Sequence, residues 1–178
     1  MNKNITIIDK HMGTRAYNDL GDFLVGGYKT LYQGNILNHI LFYKGLEQPT
    51  LLRVQSGCLT GDIFGDKRCD CHSQLVESMK YIFSEKNGLV IYTVEHDGRG
   101  RGTLAKMKVY ALKDLYHIDS RTACKELGLP YEIRDYYPVT EVLKDIGLKK
   151  IILLSQNPQK MAALEEAGLN VVGVKNIF

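Results

Sequence analysis

The residues with the clearest chemical meaning are three cysteines that lie close together in the chain, Cys58, Cys69 and Cys71. Thiolates at such spacing are typical ligands of zinc. The same segment offers no convincing fourth ligand, because His72 directly follows Cys71 and Cys124 lies far away in the sequence. A structural zinc usually has four protein ligands, whereas three leave a position open for a water whose pKa falls to about 7. The spacing therefore predicts one catalytic zinc per chain, and the alternative is three buried or incidental thiols.

A second chemical signal is the glycine-rich segment from Asp97 to Thr103, which reads Asp-Gly-Arg-Gly-Arg-Gly-Thr. Glycines let backbone N–H groups approach an anion, and the N-terminus of a following helix adds partial positive charge. Arg99 and Arg101 can add forked donors. The segment therefore predicts a phosphate-binding loop, and the alternative is a solvated basic turn.

These side chains need strands and helices to position them. Helical periodicity and capping residues indicate helices between the apolar runs, with Ser73 as the N-cap of the first. Strands that alternate with helices predict an α/β fold, as a single layered domain over residues 1–178 with a mixed β-sheet and flanking helices. The expected strands are Asn4–Ile8, Phe23–Val25, His39–Tyr43, Leu51–Gln55, Leu89–Val94, Ile151–Ser155 and Val171–Val174; the expected helices are Ser73–Ser84, Thr103–Leu115, Ser120–Leu127, Thr140–Ile146 and Pro158–Ala167.

Composition narrows the classes of protein without selecting one. A chain of 178 residues, 44% of them hydrophobic, is long enough for one domain with a substantial core. Four cysteines and no recognisable secretion signal predict a reducing, cytoplasmic location. Apolar stretches are too short to span a membrane, and a formal charge of +3 is too small to predict nucleic-acid binding, although it suits an anionic small molecule.

An ordered set of motifs connects the cysteines with the glycine-rich segment. In this order the motifs resemble the GTP cyclohydrolase II family, the zinc enzymes that open the guanine ring at the entrance to riboflavin synthesis. The resemblance covers the chain from about Gly21 to its end. The motifs are Arg53–Asp62, Arg68–Cys71, Gly98–Gly100 with Tyr110–Leu112, Leu127–Gly128 with Arg134–Tyr136, and Leu154–Lys160.

The resemblance implies a reaction, its cofactors and an assembly. Members of the family hydrolyse the imidazole ring of GTP, release C8 as formate together with pyrophosphate, and leave a diaminopyrimidinone ribosylamino phosphate. The expected cofactors are zinc on Cys58, Cys69 and Cys71, and magnesium on the triphosphate. The family also implies a homodimer. Its expected ligand is a purine nucleoside triphosphate rather than nucleic acid or a membrane.

The same resemblance assigns residues to the reaction. Tyr110 matches a tyrosine beside the reacting carbon, and Arg134 matches an arginine assigned to the α-phosphorus. A guanidinium is a poor nucleophile, so Arg134 is expected to stabilise charge on the transferring phosphoryl group, with Glu132 two positions before it as the catalytic carboxylate. The expected substrate-binding residues are Arg53, Val54, Gln55, Ser56, Gln74, Asp97, Gly98, Arg99, Ser120, Ser155 and Lys160.

The chain also departs from the family pattern around the expected site, while the cysteines and Arg134 match it. Glu132 stands in place of an aspartate, and Asp97 in place of a glutamate whose carboxylate can read the guanine edge. The further departures are Gln55 for histidine, His96 for glutamine with an additional residue before it, Arg101 and Thr103 for apolar residues, Thr122 for glutamate, and Ser155-Gln156-Asn157-Pro158 for Thr-Asn-Asn-Pro.

Three alternatives to hydrolysis of GTP in riboflavin synthesis stay open at this level. The chain could act on another purine nucleotide or give another product in a specialised pathway. It could bind a nucleotide without catalysis and keep zinc for structure. It could instead be a redox protein with reactive thiolates, which metal analysis would separate from the other two.

Overall fold

The computed structural model describes residues 4–177, which form one seven-stranded sheet with helices packed against it. None of the helices within residues 4–177 combines the length and the apolar character that crossing a membrane requires. The strands are β1 Ile5–Asn18, β2 Gly21–Tyr32, β3 Asn35–Tyr43, β4 Thr50–Ser56, β5 Leu89–Thr93, β6 Lys150–Leu153 and β7 Asn170–Val174; the helices are α1 Cys71–Glu85, α2 Gly102–Tyr116, α3 Ser120–Glu126, α4 Tyr137–Asp145 and α5 Pro158–Glu166.

The sheet is mixed, which confirms the prediction of an α/β fold. Its strand order is β1-β2-β3-β5-β4-β6-β7. Strands β1, β2, β3 and β5 pair antiparallel in succession, whereas β5, β4, β6 and β7 are parallel. The carboxyl ends of β4, β5 and β6 therefore meet at one edge, where open α/β sheets usually bind their ligands.

The central strands are buried because a hydrophobic cluster covers each face of the sheet. Successive side chains of a strand point to opposite faces, so Leu51 and Val90 belong to one cluster while Leu52 and Ile91 belong to the other. Helix α1 covers the first face, for example through Ile82, and α4 and α5 cover the second. Because both of their faces are buried, the short central strands have continuous apolar sequences.

The structure extends some sequence expectations and corrects one. Strands β1 and β2 form a long hairpin, whereas the sequence indicated only Asn4–Ile8 and Phe23–Val25, since most β1 residues are exposed and carry no apolar run. The assignment of Ser73 as an N-cap is wrong. Helix α1 already begins at Cys71 with Asp70 at its N-cap position, and the Ser73 hydroxyl donates to the Asp70 carbonyl oxygen at 2.9 Å.

Candidate active site

The candidate site lies at the carboxyl ends of the parallel strands. The chain leaves β4 at Ser56 and enters a loop that carries Cys58 and a short helical turn, Leu59–Ile63, before α1 begins at Cys71. The chain leaves β5 through Val94–Gly100, and β6 is followed by the segment before α5. Three loops that are distant in sequence therefore converge because their strands are parallel neighbours.

The three predicted metal ligands come together in one cluster. The sulfur atoms of Cys58, Cys69 and Cys71 all lie within 4.8 Å of one another, and Cys58 is buried while the other two are half-buried. His72 turns elsewhere, with Nδ1 at 3.2 Å from the backbone oxygen of Asp62. Three converging soft sulfur donors suit zinc, so the residues present fit the expected ion.

The loop around the cysteines is shaped to leave room for the sulfur atoms. Gly61 packs against them: a Cβ atom there would lie 2.9 Å from the Cys58 sulfur and 3.1 Å from that of Cys69. The Asp62 carboxylate fixes the start of the loop, because it accepts a hydrogen bond from the Cys58 backbone N–H at 3.0 Å and from the Tyr92 hydroxyl at 2.8 Å. The backbone therefore holds the thiols together within the chain itself.

The thiols differ in how readily they ionise. The pKa of Cys58 is lowered to about 4, chiefly because Cys71 donates a hydrogen bond to its sulfur, with Lys106 as a further donor. The pKa of Cys71 is raised, because it is the partner that keeps its proton and because it is partly buried. Burial also raises the pKa of Cys69. Close packing thus concentrates negative charge on Cys58, beside the Lys106 ammonium at 2.8 Å.

A first cavity of about 290 Å³ opens next to the cysteine cluster. Tyr110 lines it from α2, with the Arg68 guanidinium 4.9 Å from its ring centroid. Burial raises the pKa of Tyr110, so its hydroxyl remains a donor at neutral pH. The expected site residues in this lining are Ser56, Cys58, Cys69, Cys71, Asp97, Gly98, Arg99, Tyr110, Ser120 and Arg134.

The glycine-rich loop forms another wall of the first cavity. Gly98 and Arg99 both have left-handed backbone conformations, with φ of +59° and +61°. The Arg99 guanidinium stacks 4.2 Å from the Tyr131 ring centroid and donates to Glu132 at 3.3 Å. Arg101 donates instead to the Gly98 and Pro130 carbonyl oxygens. Arg101 is thus held by backbone carbonyl oxygens of its own loop and of Pro130.

A second cavity of about 440 Å³ adjoins the first, and Asp70, Cys71 and Arg134 line both. The expected residues Arg53, Gln74, Ser155 and Lys160 line this second cavity. Arg99 and Lys160 thus belong to neighbouring cavities on either side of Arg134. The two residues therefore do not line one shared cavity.

Buried cations dominate the second cavity. Lys160 is 6% exposed and donates to the Val54 carbonyl oxygen at 2.7 Å. Burial, together with the positive charges of Arg53 and Arg134, lowers the pKa of Lys160 to about 7. Burial also lowers the pKa of Arg53 to about 10. Like charges gathered in a buried site are costly unless an anion balances them.

Arg134 and Glu132 form a buried pair between the cavities. Glu132 Oε1 accepts from the Arg134 backbone N–H at 3.0 Å and from Nε at 2.7 Å, and Oε2 accepts from the terminal guanidinium. Burial alone would raise the pKa of Glu132, but the hydrogen bonds from Arg134 outweigh it and lower that pKa. The same pairing raises the pKa of Arg134, so both groups are charged at neutral pH.

Three expected site residues support their neighbours rather than line a cavity. The Val54 side chain is 1% exposed in the hydrophobic core, and only its carbonyl oxygen reaches Lys160. Gln55 accepts from Arg53 at 2.6 and 2.8 Å and donates to the Cys71 carbonyl oxygen at 3.2 Å. Glu132, the third, holds Arg134 as described above.

Lys106 and His96 both line the first cavity, although the sequence assigned neither of them a role in the site. Lys106 lies four positions before Tyr110, which places both on one face of α2 and would have indicated it. His96 is 4% exposed and contacts the backbone oxygen of Asp135 at 3.2 Å, while burial lowers its pKa to about 3. No periodic signal in the sequence indicates His96, because it lies in an irregular segment.

The fold and the site define an α/β protein in which three cysteine thiols and two adjoining cation-lined cavities share one edge of the sheet. A family model described as GTP cyclohydrolase II matches residues 10–176. The chain therefore belongs to the GTP cyclohydrolase II family, which is a family of hydrolases.

Individual relatives agree with this assignment. The chain is 42% identical over 154 residues to the riboflavin biosynthesis protein RibBA of Salinispora tropica, which covers 85% of this chain and 38% of that protein. It is 36% identical over 170 residues to RibBA of Bacillus subtilis, covering 93% and 42%. It is 36% identical over 174 residues to the bifunctional riboflavin biosynthesis protein RIBA 1, chloroplastic, of Arabidopsis thaliana, covering 96% and 32%. The chain thus spans less than half the length of these curated relatives.

Among solved structures, a two-domain 3,4-dihydroxy-2-butanone 4-phosphate synthase, RibBX from A. baumannii, aligns with a TM-score of 0.45 at 19% identity. The alignment covers 100% of this chain and 41% of that one.

Proposed function

We propose that this chain hydrolyses the imidazole ring of GTP, releasing C8 as formate together with pyrophosphate, in a zinc-dependent reaction that serves riboflavin biosynthesis. The observation that carries the proposal is the convergence of Cys58, Cys69 and Cys71 at the first cavity, with Tyr110 and Arg134 in the same lining. The product is a diaminopyrimidinone ribosylamino phosphate.

The three cysteines would hold the zinc ion, and the metal would supply Lewis-acid activation of water for hydrolysis at C8. Tyr110 stays protonated and can donate a hydrogen bond to oxygen at the carbon under attack. A group that donates only as charge develops stabilises the transition state more than the bound substrate. Tyr110 is therefore expected to donate a hydrogen bond that stabilises charge developing on this oxygen during ring opening.

The two cavities suggest how the nucleotide lies. The purine ring would occupy the first cavity beside the cysteines, and the phosphates would pass Arg134 into the second, towards Arg53 and Lys160. The buried cations there complement the negative charge of the triphosphate, on which a magnesium ion would also bind. Arg134 is held charged by Glu132, so it can stabilise the phosphoryl group as pyrophosphate leaves.

We also propose a homodimer and a reducing cytoplasmic compartment for this enzyme. The homodimer follows from family resemblance alone, and sedimentation of the purified chain tests it. A reducing compartment would keep three closely packed thiols available to a metal rather than to disulfide formation.

The experiment compares metal content with both products. Wild type is expected to carry about one zinc per chain and to release formate and pyrophosphate from GTP. Cys69→Ser should lose zinc and formate together, because a hydroxyl cannot replace the affinity of a thiolate. Cys124→Ser is the matched control, since Cys124 lies in α3 within a separate hydrophobic cluster, and should keep both.

Two results would overturn the proposal. Full zinc content and formate release in Cys69→Ser would remove the assignment of the ligands. Zinc binding without formate or pyrophosphate from GTP in wild type would favour a non-catalytic nucleotide-binding protein instead.

A further inference from the structure

The Asp97 carboxylate is almost fully used within the protein. Asp97 is 6% exposed and lines the first cavity. Its Oδ1 accepts from the Gly98 backbone N–H at 2.8 Å and from Lys106 Nζ at 3.3 Å, and its Oδ2 accepts from the Thr103 hydroxyl. A carboxylate oxygen offers two acceptor positions. Oδ1 is therefore saturated, and Oδ2 has one position left.

This arrangement limits how Asp97 can recognise a purine. Guanine presents two adjacent donors, N1–H and the 2-amino group, and a carboxylate that reads both needs a free position on each oxygen. Asp97 has no free acceptor position on Oδ1. Hypoxanthine presents N1–H alone, so it loses nothing at Asp97 that guanine could have gained.

The rest of the first cavity favours an acceptor on the base. Besides Tyr110 and Arg134, which the proposed function places at the reacting carbon and at the phosphates, its side chains include the donors Lys106 and Arg99. Besides Asp97, the only carboxylate among the described lining residues is Asp70, which accepts from Gln74 Nε2 at 2.5 Å where the two cavities meet. A 6-oxo group suits such a wall, whereas the 6-amino group of adenine would face donors.

We propose that this site accepts 6-oxopurine nucleoside triphosphates with or without a 2-amino group, and that Asp97 positions the glycine-rich loop against α2 rather than reading the base. The proposal rests on the proposed function, which places the purine in the first cavity. Thr103 and Lys106 hold Asp97 in this orientation from two successive turns of α2. Asp97 and Thr103, which both depart from the family pattern, thus act together to hold the loop against α2.

The test compares GTP with inosine triphosphate on the zinc-loaded protein. We expect kcat/KM for the two nucleotides to differ by less than about 10-fold, the factor that 1.4 kcal/mol of differential binding gives. A site that hydrogen-bonds a substrate N–H rejects the analogue lacking it by roughly 10⁴-fold or more. A preference of about 10-fold or more for GTP would overturn the proposal.

A variant then tests the role of Asp97 directly. Asp97→Asn should lower kcat/KM for both nucleotides by the same factor, because it loosens the loop without removing a contact to the 2-amino group. Loss of GTP turnover about 10-fold greater than that of inosine triphosphate turnover would show that Asp97 reads the amino group. Asp145→Asn is the matched control, a carboxylate bonded to Lys10 and Tyr28 away from both cavities, and should leave both rates unchanged.

The wild-type comparison keeps the proposal testable if Asp97→Asn fails to fold. Absence of formate from both nucleotides would count against the proposed function instead. Dissociation constants of the same two nucleotides, measured by calorimetry on wild type, would then decide the inference by the same 10-fold criterion. Failure of both nucleotides to bind would overturn it.

Discussion

At the scale of single residues, Glu132 and Arg134 act as one unit. The two positions are separated by one residue, a spacing that places both side chains on one face of an extended segment. In the structure the two residues are in contact, since Glu132 accepts hydrogen bonds from the backbone N–H, Nε and a terminal nitrogen of Arg134. Because the pair keeps Arg134 protonated, the arginine suits charge stabilisation and not nucleophilic attack.

Arg134→Ala is expected to suppress pyrophosphate release much more than ring opening. An electrostatic clamp on a phosphoryl group contributes about 3–4 kcal/mol to the transition state, so the rate should fall by roughly 100- to 1,000-fold. Glu132→Asp draws the carboxylate back by about one ångström, and a misplacement of that size can cost about 100-fold. Formate and pyrophosphate are to be measured separately for each variant.

The control for this experiment is Arg15→Ala, which removes an arginine from β1, remote in the sheet from β4 and β5. Both products should be unchanged in this control. Release of pyrophosphate by Arg134→Ala at the wild-type rate would eliminate the proposed role of Arg134.

At the scale of elements, the parallel strands bring the reactive loops together. The sequence predicted β4, β5 and the helices because their apolar residues follow clear periods, and motif order indicated the cysteines and Arg134. It could not predict that Lys106 and Asp97 would pair, because their contact depends on how α2 packs against the loop after β5. It also could not separate the two cavities, since Arg99 and Lys160 look equivalent as isolated basic residues.

Gly61→Ala tests whether the loop after β4 is shaped for a metal. The added Cβ would lie 2.9 Å from the Cys58 sulfur, so one thiol must shift away from the cluster. We expect zinc affinity to fall by about 10- to 100-fold, the range typical of disturbed metal surroundings. The midpoint of thermal unfolding of the metal-free protein should change little, because Gly61 lies outside the hydrophobic clusters.

Competition with a chelator of known zinc affinity measures this change. Gly27→Ala is the matched control, because a Cβ there meets no atom within 4 Å. Unaltered zinc affinity in Gly61→Ala would mean that the three thiols do not bind the metal in the arrangement seen here.

At the scale of the whole molecule, one sheet separates two hydrophobic clusters, and the site occupies its edge at the expense of stability. Lys160 is the clearest case, because it is buried beside two arginines and its ammonium group donates a hydrogen bond to the uncharged Val54 carbonyl oxygen. Buried cationic residues that serve to bind an anion reduce the free energy of unfolding when no anion is bound. The free-energy cost of burying Lys160 should therefore depend on whether its amine is protonated.

Burial lowers the pKa of Lys160 from 10.5 to about 7, so the unfolded chain binds the proton more tightly than the folded one. The contribution of Lys160 to the free energy of unfolding should rise as the pH increases from about 7 to about 10.5, and the full cost of burying its charge applies below about pH 7.

Lys160→Met removes the charge but also the hydrogen bond to Val54, which is worth roughly 1 kcal/mol. At about 1.36 kcal/mol per pKa unit, the shift from 10.5 to about 7 corresponds to roughly 5 kcal/mol, so the variant should be more stable than wild type by roughly 4 kcal/mol near pH 6 and should lose most of this advantage near pH 10. Urea unfolding of both proteins at the two pH values measures the difference, with Lys144→Met as the control, an exposed lysine paired with Glu141 whose effect should not vary in this way. A Lys160→Met protein that is less stable than wild type by the same amount at both pH values would show that Lys160 is not buried as a charged group in the folded chain.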